Sequence, residues 1–219
     1  MLRALAMLIA PRCVACRGPA GRYELLCGHC RLGLPWLEPP LCRACGLPEP
    51  CGQVCPAAAA AFDGAFAPVG YEGPVPALIR ALKEDGAIPV ADLMAAAIVA
   101  GMPDEFLDDD PLVVPVPADP WRARRRGIDH AEAIARAVAR RARLRHGSPL
   151  RRRHRRRQAG LSRAERLTAG SQLDCAPVSG RILLVDDVHT TGATLDQAAC
   201  VLLACGASEV LCLTFGRAT

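Results

Sequence analysis

Residues 182–195 of the chain read ILLVDDVHTTGATL, and this stretch decides the fold. The apolar run at 181–185 is typical of a strand that is buried on both faces of a parallel sheet. Asp186 and Asp187 follow the run, then a loop of small residues, and then a helix predicted over 194–205. A strand, a loop and a helix in this order indicate a βαβ unit, in which the next strand lies parallel to the first.

The loop between this strand and helix has the composition of an anion site. Backbone N–H groups of residues 190–194 lie at the start of a helix, where the helix dipole favours negative charge. Gly192 lets the backbone approach a phosphate closely. Asp186 and Asp187 can accept hydrogen bonds from hydroxyl groups beside that phosphate. The sequence therefore predicts a ligand that carries both a phosphate and a diol, such as a ribose 5-phosphate.

Helices and strands alternate on both sides of this stretch. A final strand is predicted at 209–214, after Gly206, where a left-handed helix end is expected. Upstream, helical patterns occur at 74–84, 90–100 and 127–143, and a strand pattern occurs at 112–116. The predicted fold class is α/β, with a parallel sheet flanked by helices.

Composition excludes several classes of protein. The chain has 219 residues, of which 51% are hydrophobic and only 4% aromatic, so it is not disordered and lacks the aromatic side chains of a base-stacking platform. No apolar run approaches the roughly 20 residues that a membrane span needs, and the first residues lack a signal-peptide cleavage site. We expect a cytoplasmic protein with reduced thiols.

Eight of the 12 cysteines lie in the first 60 residues, and they form four close pairs. The pairs are Cys13 with Cys16, Cys27 with Cys30, Cys42 with Cys45, and Cys51 with Cys55. Four thiolates make a closed tetrahedral zinc site, and a segment this short has too little apolar surface to fold without one. The pattern predicts two structural Zn²⁺ ions in a double zinc ribbon at 1–60, followed by the α/β domain at 61–219.

The spacing of the pairs leaves their grouping open. Consecutive pairs close shorter loops, which favours Cys13, Cys16, Cys27 and Cys30 in one site. A cross-braced arrangement would interleave the pairs instead. Either grouping leaves no open coordination position, so the zinc is expected to be structural.

The sequence also resembles a known family. VDDVHTTGAT at 185–194 is similar to the phosphoribosyl-diphosphate (PRPP) signature of type I phosphoribosyltransferases. Together with the cysteine pairs, the chain resembles the ComF family, competence-type phosphoribosyltransferase-like proteins that include the GntX branch. Where the family reads RGFNQ this chain has RGIDH at 126–130, so Asp129 and His130 replace two amides. Other matching positions are Tyr71, Leu82, Lys83, the stretch 114–117, Arg126, Gln158, Leu161 and Arg166.

The resemblance implies a type I phosphoribosyltransferase fold and an active site. Asp186 and Asp187 would hold the ribose hydroxyls, with Mg²⁺ nearby, and would act in catalysis. The resemblance further implies ligand-binding roles for Thr190, Thr191, Gly192, Ala193, Thr194, Lys83, Pro115, Val116 and Arg126. The implied reaction transfers ribose 5-phosphate from PRPP to a nitrogen acceptor, which the sequence does not identify, with release of pyrophosphate.

The basic run RRRHRRR at 151–157 admits three interpretations. It is a loop that closes over the diphosphate, a patch that follows a DNA backbone, or a solvated loop. The second interpretation leads to another function, a non-catalytic protein that handles single-stranded DNA in natural competence, DNA uptake or recombination. A competence or helicase-type protein would then be a partner. A regulatory PRPP sensor that contacts a partner through the zinc ribbon is a third hypothesis.

Overall fold

A parallel sheet lies at the centre of the α/β part of the chain. The computed structural model describes residues 11–118, 129–152 and 173–218. Within these ranges the sheet contains β1 Gly64–Phe66, β2 Val69–Gly70, β3 Leu112–Pro115, β4 Arg145–His146, β7 Gly180–His189 and β8 Ala207–Arg217. The strand order is β1–β8–β7–β3–β4, β2 also pairs with β8, and all of these pairs are parallel. A separate antiparallel pair joins β5 Leu150–Arg152 to β6 Leu173–Cys175.

Helices cover both faces of the sheet. They are α1 Gly28–Leu32, α2 Val75–Glu84, α3 Ile88–Gly101, α4 His130–Ala142 and α5 Ala193–Ala204, with a 3₁₀ helix at Asp104–Leu107. One hydrophobic cluster joins α2, α3 and α4 to one face of the sheet. A second cluster joins α5 to the other face. The predicted α/β class, with a mostly parallel sheet between helices, is therefore confirmed.

Strand β7 supplies side chains to both clusters. Leu183 and Val185 pack on the face of α2, α3 and α4, whereas Ile182 and Leu184 pack on the face of α5. This alternation follows from the period of two in a strand, and it explains why the run is continuously apolar. The strand order places β7 between β3 and β8, so both of its edges are hydrogen-bonded.

Element boundaries differ from the sequence predictions at functionally relevant places. Strand β7 continues to His189, because it stays paired with β8 as far as Arg217. The two acids are therefore the seventh and eighth residues of the strand and do not follow it. Helix α4 begins at His130, after an Asp129 cap, and the predicted start at residues 127 and 128 lies outside the described residues.

The cysteine-rich part packs directly against the α/β part. Cys13, Leu26 and Leu34 belong to the same hydrophobic cluster as α2 and α3. Residues 35–37 run beside 68–70, where Gly70 N donates to Pro35 O at 2.8 Å and Leu37 N to Pro68 O at 3.0 Å. The two parts of the chain therefore share one core.

Candidate functional site

The eight N-terminal cysteines form two separate clusters, within each of which the sulfur atoms lie within 4.8 Å of one another. The first cluster contains Cys13, Cys16, Cys27 and Cys30, and the second contains Cys42, Cys45, Cys51 and Cys55. Each cluster therefore contains two cysteine pairs that are consecutive in the sequence, which is the grouping that the shorter loops favoured. The interleaved grouping is wrong.

Sulfur spacing in both clusters fits zinc. Cys16 Sγ lies 3.7 Å from Cys27 Sγ, and Cys42 Sγ lies 3.8 Å from Cys55 Sγ. A tetrahedron with Zn–S bonds of about 2.3 Å has edges of about 3.8 Å. The two four-cysteine sites are therefore consistent with two structural zinc ions.

The thiol electrostatics of the clusters also favour a cation. Burial opposes ionisation of Cys13, yet backbone N–H groups directed at its sulfur lower its pKa to about 6. Burial likewise opposes ionisation of Cys42, and backbone N–H groups lower its pKa to about 7. Burial and the neighbouring sulfurs raise the pKa of Cys30 and of Cys45 to about 12. Four thiolates become compatible in each cluster when a divalent cation offsets their repulsion.

A second group of polar side chains lies near the carboxyl end of β7. The Asp187 side chain is only 6% exposed, and the Lys83 ammonium contacts its Oδ2. His130 Nε2 lies 3.8 Å from Asp187 Oδ1. Ligand atoms of His130, Asp186 and Asp187 all lie within 4.8 Å of one another. We call these three residues the acid–histidine cluster.

Asp186 is the more strongly perturbed of the two acids. Burial and the negative charge of Asp187 raise the pKa of the Asp186 carboxyl well above its usual range, and the Lys83 ammonium opposes this shift. Asp187 N donates to Asp186 Oδ1 at 2.9 Å. The site thus contains one acid paired with a lysine and one that resists ionisation, a pairing typical of functional sites.

The loop after β7 turns sharply at Gly192, the residue before α5. Gly192 has φ +79°, and a Cβ atom there would lie 2.8 Å from His189 Nε2. His189 is buried, its ring meets Phe62 edge-on with centroids 5.8 Å apart, and burial together with Arg217 lowers its pKa to about 4. A neutral imidazole therefore fills the space under the turn. The exposed residues at the start of the helix, where N–H groups lack helical partners, are Thr190, Thr191, Ala193 and Thr194.

The loop after β3 begins beside these acids. Pro115 pairs with Val185, and Val116 N donates to Val185 O at 2.9 Å. Farther along this loop, Asp129 Oδ2 accepts from Ala118 N at 3.3 Å. Because the carboxyl ends of parallel strands meet at one edge of a sheet, this loop and the Gly192 turn share an edge.

Most of the residues singled out in the sequence lie at this edge, among them Lys83, Asp186, Asp187, Pro115, Val116 and residues 190–194. Arg152, in the first part of the basic run, donates from Nε to Pro117 O at 3.0 Å. Arg126, the remainder of the basic run at 153–157, and the matched positions Gln158, Leu161 and Arg166 lie outside the described residues.

Sequence reasoning missed two residues of the site. His130 was noted only as a departure from a motif, yet its ring faces Asp187. Arg217 was not considered, yet it is 3% exposed and donates hydrogen bonds to the carbonyl groups beneath the Gly192 turn. The only sequence signal for the role of Arg217 was its charge, which is unusual at the end of an apolar strand such as β8.

Comparison with known proteins identifies the N-terminal part. Residues 4–59 match the family model of the double zinc ribbon domain, which is about a quarter of the chain. A comparison with curated proteins found no match. Among the described residues, no helix has both the length and the apolar character to cross a membrane.

Proposed function

We propose that this protein is a PRPP-binding phosphoribosyltransferase of the ComF family. It would transfer ribose 5-phosphate to a nitrogen acceptor and release pyrophosphate. One observation carries the proposal: Asp186 and Asp187 lie on the strand that leads directly into the Gly192 turn at the start of α5. A phosphate on the helix start and hydroxyl groups on the acids then belong to one ligand.

The residues near the turn have distinct roles in this proposal. The 5-phosphate binds the N–H groups of residues 190–194, where the close approach of the Gly192 backbone leaves room for its oxygens. Asp187, which is held by Lys83, accepts hydrogen bonds from the ribose hydroxyls. The diphosphate lies toward the loop of Pro115 and Val116, within reach of the Lys83 ammonium.

Carboxylate oxygens are the ligands that Mg²⁺ prefers, so Asp186 and Asp187 suit a magnesium ion that arrives with PRPP. When bound, Mg²⁺ offsets negative charge on the diphosphate. The carboxylates lie close to C1 of the ribose, where positive charge develops as the bond to the diphosphate oxygen breaks. That bond's electron pair leaves with pyrophosphate, the lone pair of the nitrogen acceptor forms the new bond to C1, and the acceptor's proton passes to solvent.

Calorimetric titration of PRPP with Mg²⁺ into the zinc-loaded protein tests the proposal. We expect wild-type protein to bind, and Asp187→Asn to lose about tenfold or more in affinity, since a hydrogen bond to a charged group is worth about 1.5–3 kcal/mol. Asp110→Asn is the control, because Asp110 is an exposed acid paired only with Arg145 in the described structure. Pyrophosphate release is then screened with ammonium and nucleobases as acceptors.

Alanine variants of two glycines with similar positive φ angles test where the phosphate binds. Gly192 has φ +79° and Gly180 has φ +75°, but only at Gly192 would a Cβ meet a neighbour within 4 Å. We expect Gly192→Ala to abolish PRPP binding and Gly180→Ala to keep the wild-type affinity. Absence of PRPP binding by wild-type protein, or equal losses in the two alanine variants, would contradict the proposal.

A further inference from the structure

Arg217, the last residue of β8, joins the second zinc cluster to the Gly192 turn. Its guanidinium is buried, and Nε donates to Cys45 O at 2.9 Å. Nη1 donates to His189 O at 2.9 Å and to Thr190 O at 2.8 Å. One planar group therefore binds the backbone of a zinc ligand on one side and the backbone of the proposed phosphate loop on the other.

The carbonyl groups held by Arg217 determine how the loop is oriented. Each peptide plane is rigid, so fixing the Thr190 carbonyl also fixes the direction of the next N–H group, that of Thr191. Thr191 is one of the residues proposed to donate to the 5-phosphate. Arg217 is thus a positioning residue that acts through the loop backbone, since its donors point at carbonyl groups.

Backbone contacts also hold the second cluster in place. Ala65 N donates to Arg43 O at 2.9 Å, and a Cβ at Gly46 would lie 3.1 Å from Ala65 O. Cys45 itself is fully buried. The Cys45 carbonyl, which accepts the hydrogen bond from Arg217, therefore belongs to a turn whose conformation depends on the four sulfurs of that cluster.

The first zinc cluster has no such connection among the described residues. Its part of the chain contacts the C-terminal end of α2, where Arg17 Nη2 lies 3.0 Å from Asp85 Oδ2, and its apolar residues pack into the cluster of α2 and α3. The two zinc sites are thus chemically alike, but they contact different parts of the α/β fold. The first serves as an internal control for the second.

We propose that zinc in the second cluster sets the phosphate affinity of the Gly192 turn through Arg217, whereas zinc in the first cluster does not. The phosphate part of this inference rests on the proposed function. The link between the metal site and the loop does not depend on it, and it is measurable without any ligand.

Nuclear magnetic resonance tests the link directly. Cys51→Ser/Cys55→Ser opens the second cluster and leaves Cys45 in place, and Cys16→Ser/Cys27→Ser opens the first in the same way. We expect opening of the second cluster to shift the amide resonances of Thr191 and Gly192, and to remove the slowly exchanging Arg217 Nε–H signal. Opening of the first cluster should leave both signals unchanged, and metal analysis should find one zinc ion in each double variant.

Affinity for PRPP gives the second readout. We expect the second-cluster variant to bind PRPP about tenfold more weakly, which corresponds to one lost charge-assisted hydrogen bond, and the first-cluster variant to bind within about twofold of wild type. Wild-type protein that fails to bind PRPP would contradict the proposed function, and the resonance shifts would still decide the link.

Arg217→Lys tests the relay with all eight cysteines present. Lysine keeps the positive charge but cannot donate from a planar fork to carbonyl groups on two sides. We expect it to retain two zinc ions, shift the same loop resonances and weaken PRPP binding about tenfold, with no further loss when the second cluster is also opened. Equal effects from the two clusters, unchanged loop resonances in Arg217→Lys, or unfolding of Arg217→Lys would each overturn the inference.

Discussion

At the scale of single residues, Asp186 and Asp187 are neighbours with opposite electrostatic environments. Asp187 has a lysine against its carboxylate. Asp186 is affected chiefly by burial and by the charge of Asp187, both of which raise its pKa. Side chains alternate between the two faces along β7. Asp187 is therefore on the same face as Val185, which α2 covers, and Asp186 is on the same face as Leu184, which α5 covers. Ionisation of Asp186 is therefore unfavourable unless additional positive charge lies beside it.

The raised pKa of Asp186 makes the free protein less stable as the pH rises. The native state keeps this proton at pH values where the unfolded chain, with an ordinary pKa, has released it. The resulting loss of stability begins above the unfolded pKa of about 3.9 and is complete above the raised native pKa. We expect Asp186→Asn to be more stable than wild type at pH 8, and this gain in stability to shrink as the pH falls toward 5.

Thermal unfolding of both proteins at several pH values between 5 and 8 measures this difference. Both carry the same zinc clusters, so pH effects on zinc cancel when the two are compared. Asp110→Asn, which removes an exposed acid paired with Arg145, is measured alongside as the control. A pH-independent difference for Asp186→Asn would show that burial does not oppose its ionisation.

Residues of the site could be predicted where local sequence carries the signal. The acids, the Gly192 turn and the cysteine pairs each occupy one short stretch, so their spacing is visible without a fold. His130 and Arg217 act across the chain, on Asp187 and on Cys45, and no short pattern predicts such contacts. Their roles became evident only when the strand order placed them beside their partners.

At the scale of elements, Asp129 connects a helix to a loop. Its Oδ1 accepts from Glu132 N at 3.2 Å and caps α4, while its Oδ2 accepts from Ala118 N at 3.3 Å. Helix α4 is therefore fixed to the loop that follows Pro115. The same carboxylate stabilises the helix and orders the loop proposed to lie near the diphosphate.

Two substitutions separate these roles of Asp129. Asn caps helices as well as Asp does, so the free energy of unfolding of Asp129→Asn should lie within a few tenths of a kcal/mol of the wild-type value. The free energy of unfolding of Asp129→Ala should be lower by about 1 kcal/mol. Both lack the second acceptor oxygen, so we expect both to bind PRPP more weakly. Denaturant unfolding and calorimetric titration measure the two effects. Wild-type PRPP affinity in Asp129→Asn would show that the helix cap is enough to order the loop and that the hydrogen bond from Ala118 N to Asp129 is not required.

Element types were easier to predict than their ends. Hydrophobic periodicity placed a helix at 90–100, and α3 spans Ile88–Gly101. The end of β7 was missed because Asp186 and Asp187 are polar, although backbone pairing with β8 carries the strand on to His189. Pairing between distant strands decides where such a strand ends, and a single stretch of sequence does not contain that information.

At the scale of the whole molecule, the zinc ribbon and the α/β domain are not independent. Leu26 and Leu34 are buried in the cluster that also contains Leu78, Leu82 and Met94. This interface could not be predicted from the sequence, where the cysteine-rich segment at 1–60 and the α/β pattern at 61–219 indicated only two separate modules. Loss of zinc should therefore affect the α/β domain itself.

We expect a zinc chelator to lower the melting temperature of the α/β domain by about 6–24 °C. Exposure of Leu26 and Leu34 removes roughly 1.5–3 kcal/mol each, and 1 kcal/mol shifts the melting temperature of a domain this size by about 2–4 °C. Differential scanning calorimetry with and without chelator measures the shift. Cys175→Ser is the matched control, because Cys175 belongs to neither four-cysteine cluster, and it should respond to chelator as wild type does. An α/β transition at the same temperature before and after chelation would mean that the shared core contributes little, and that the two parts fold separately.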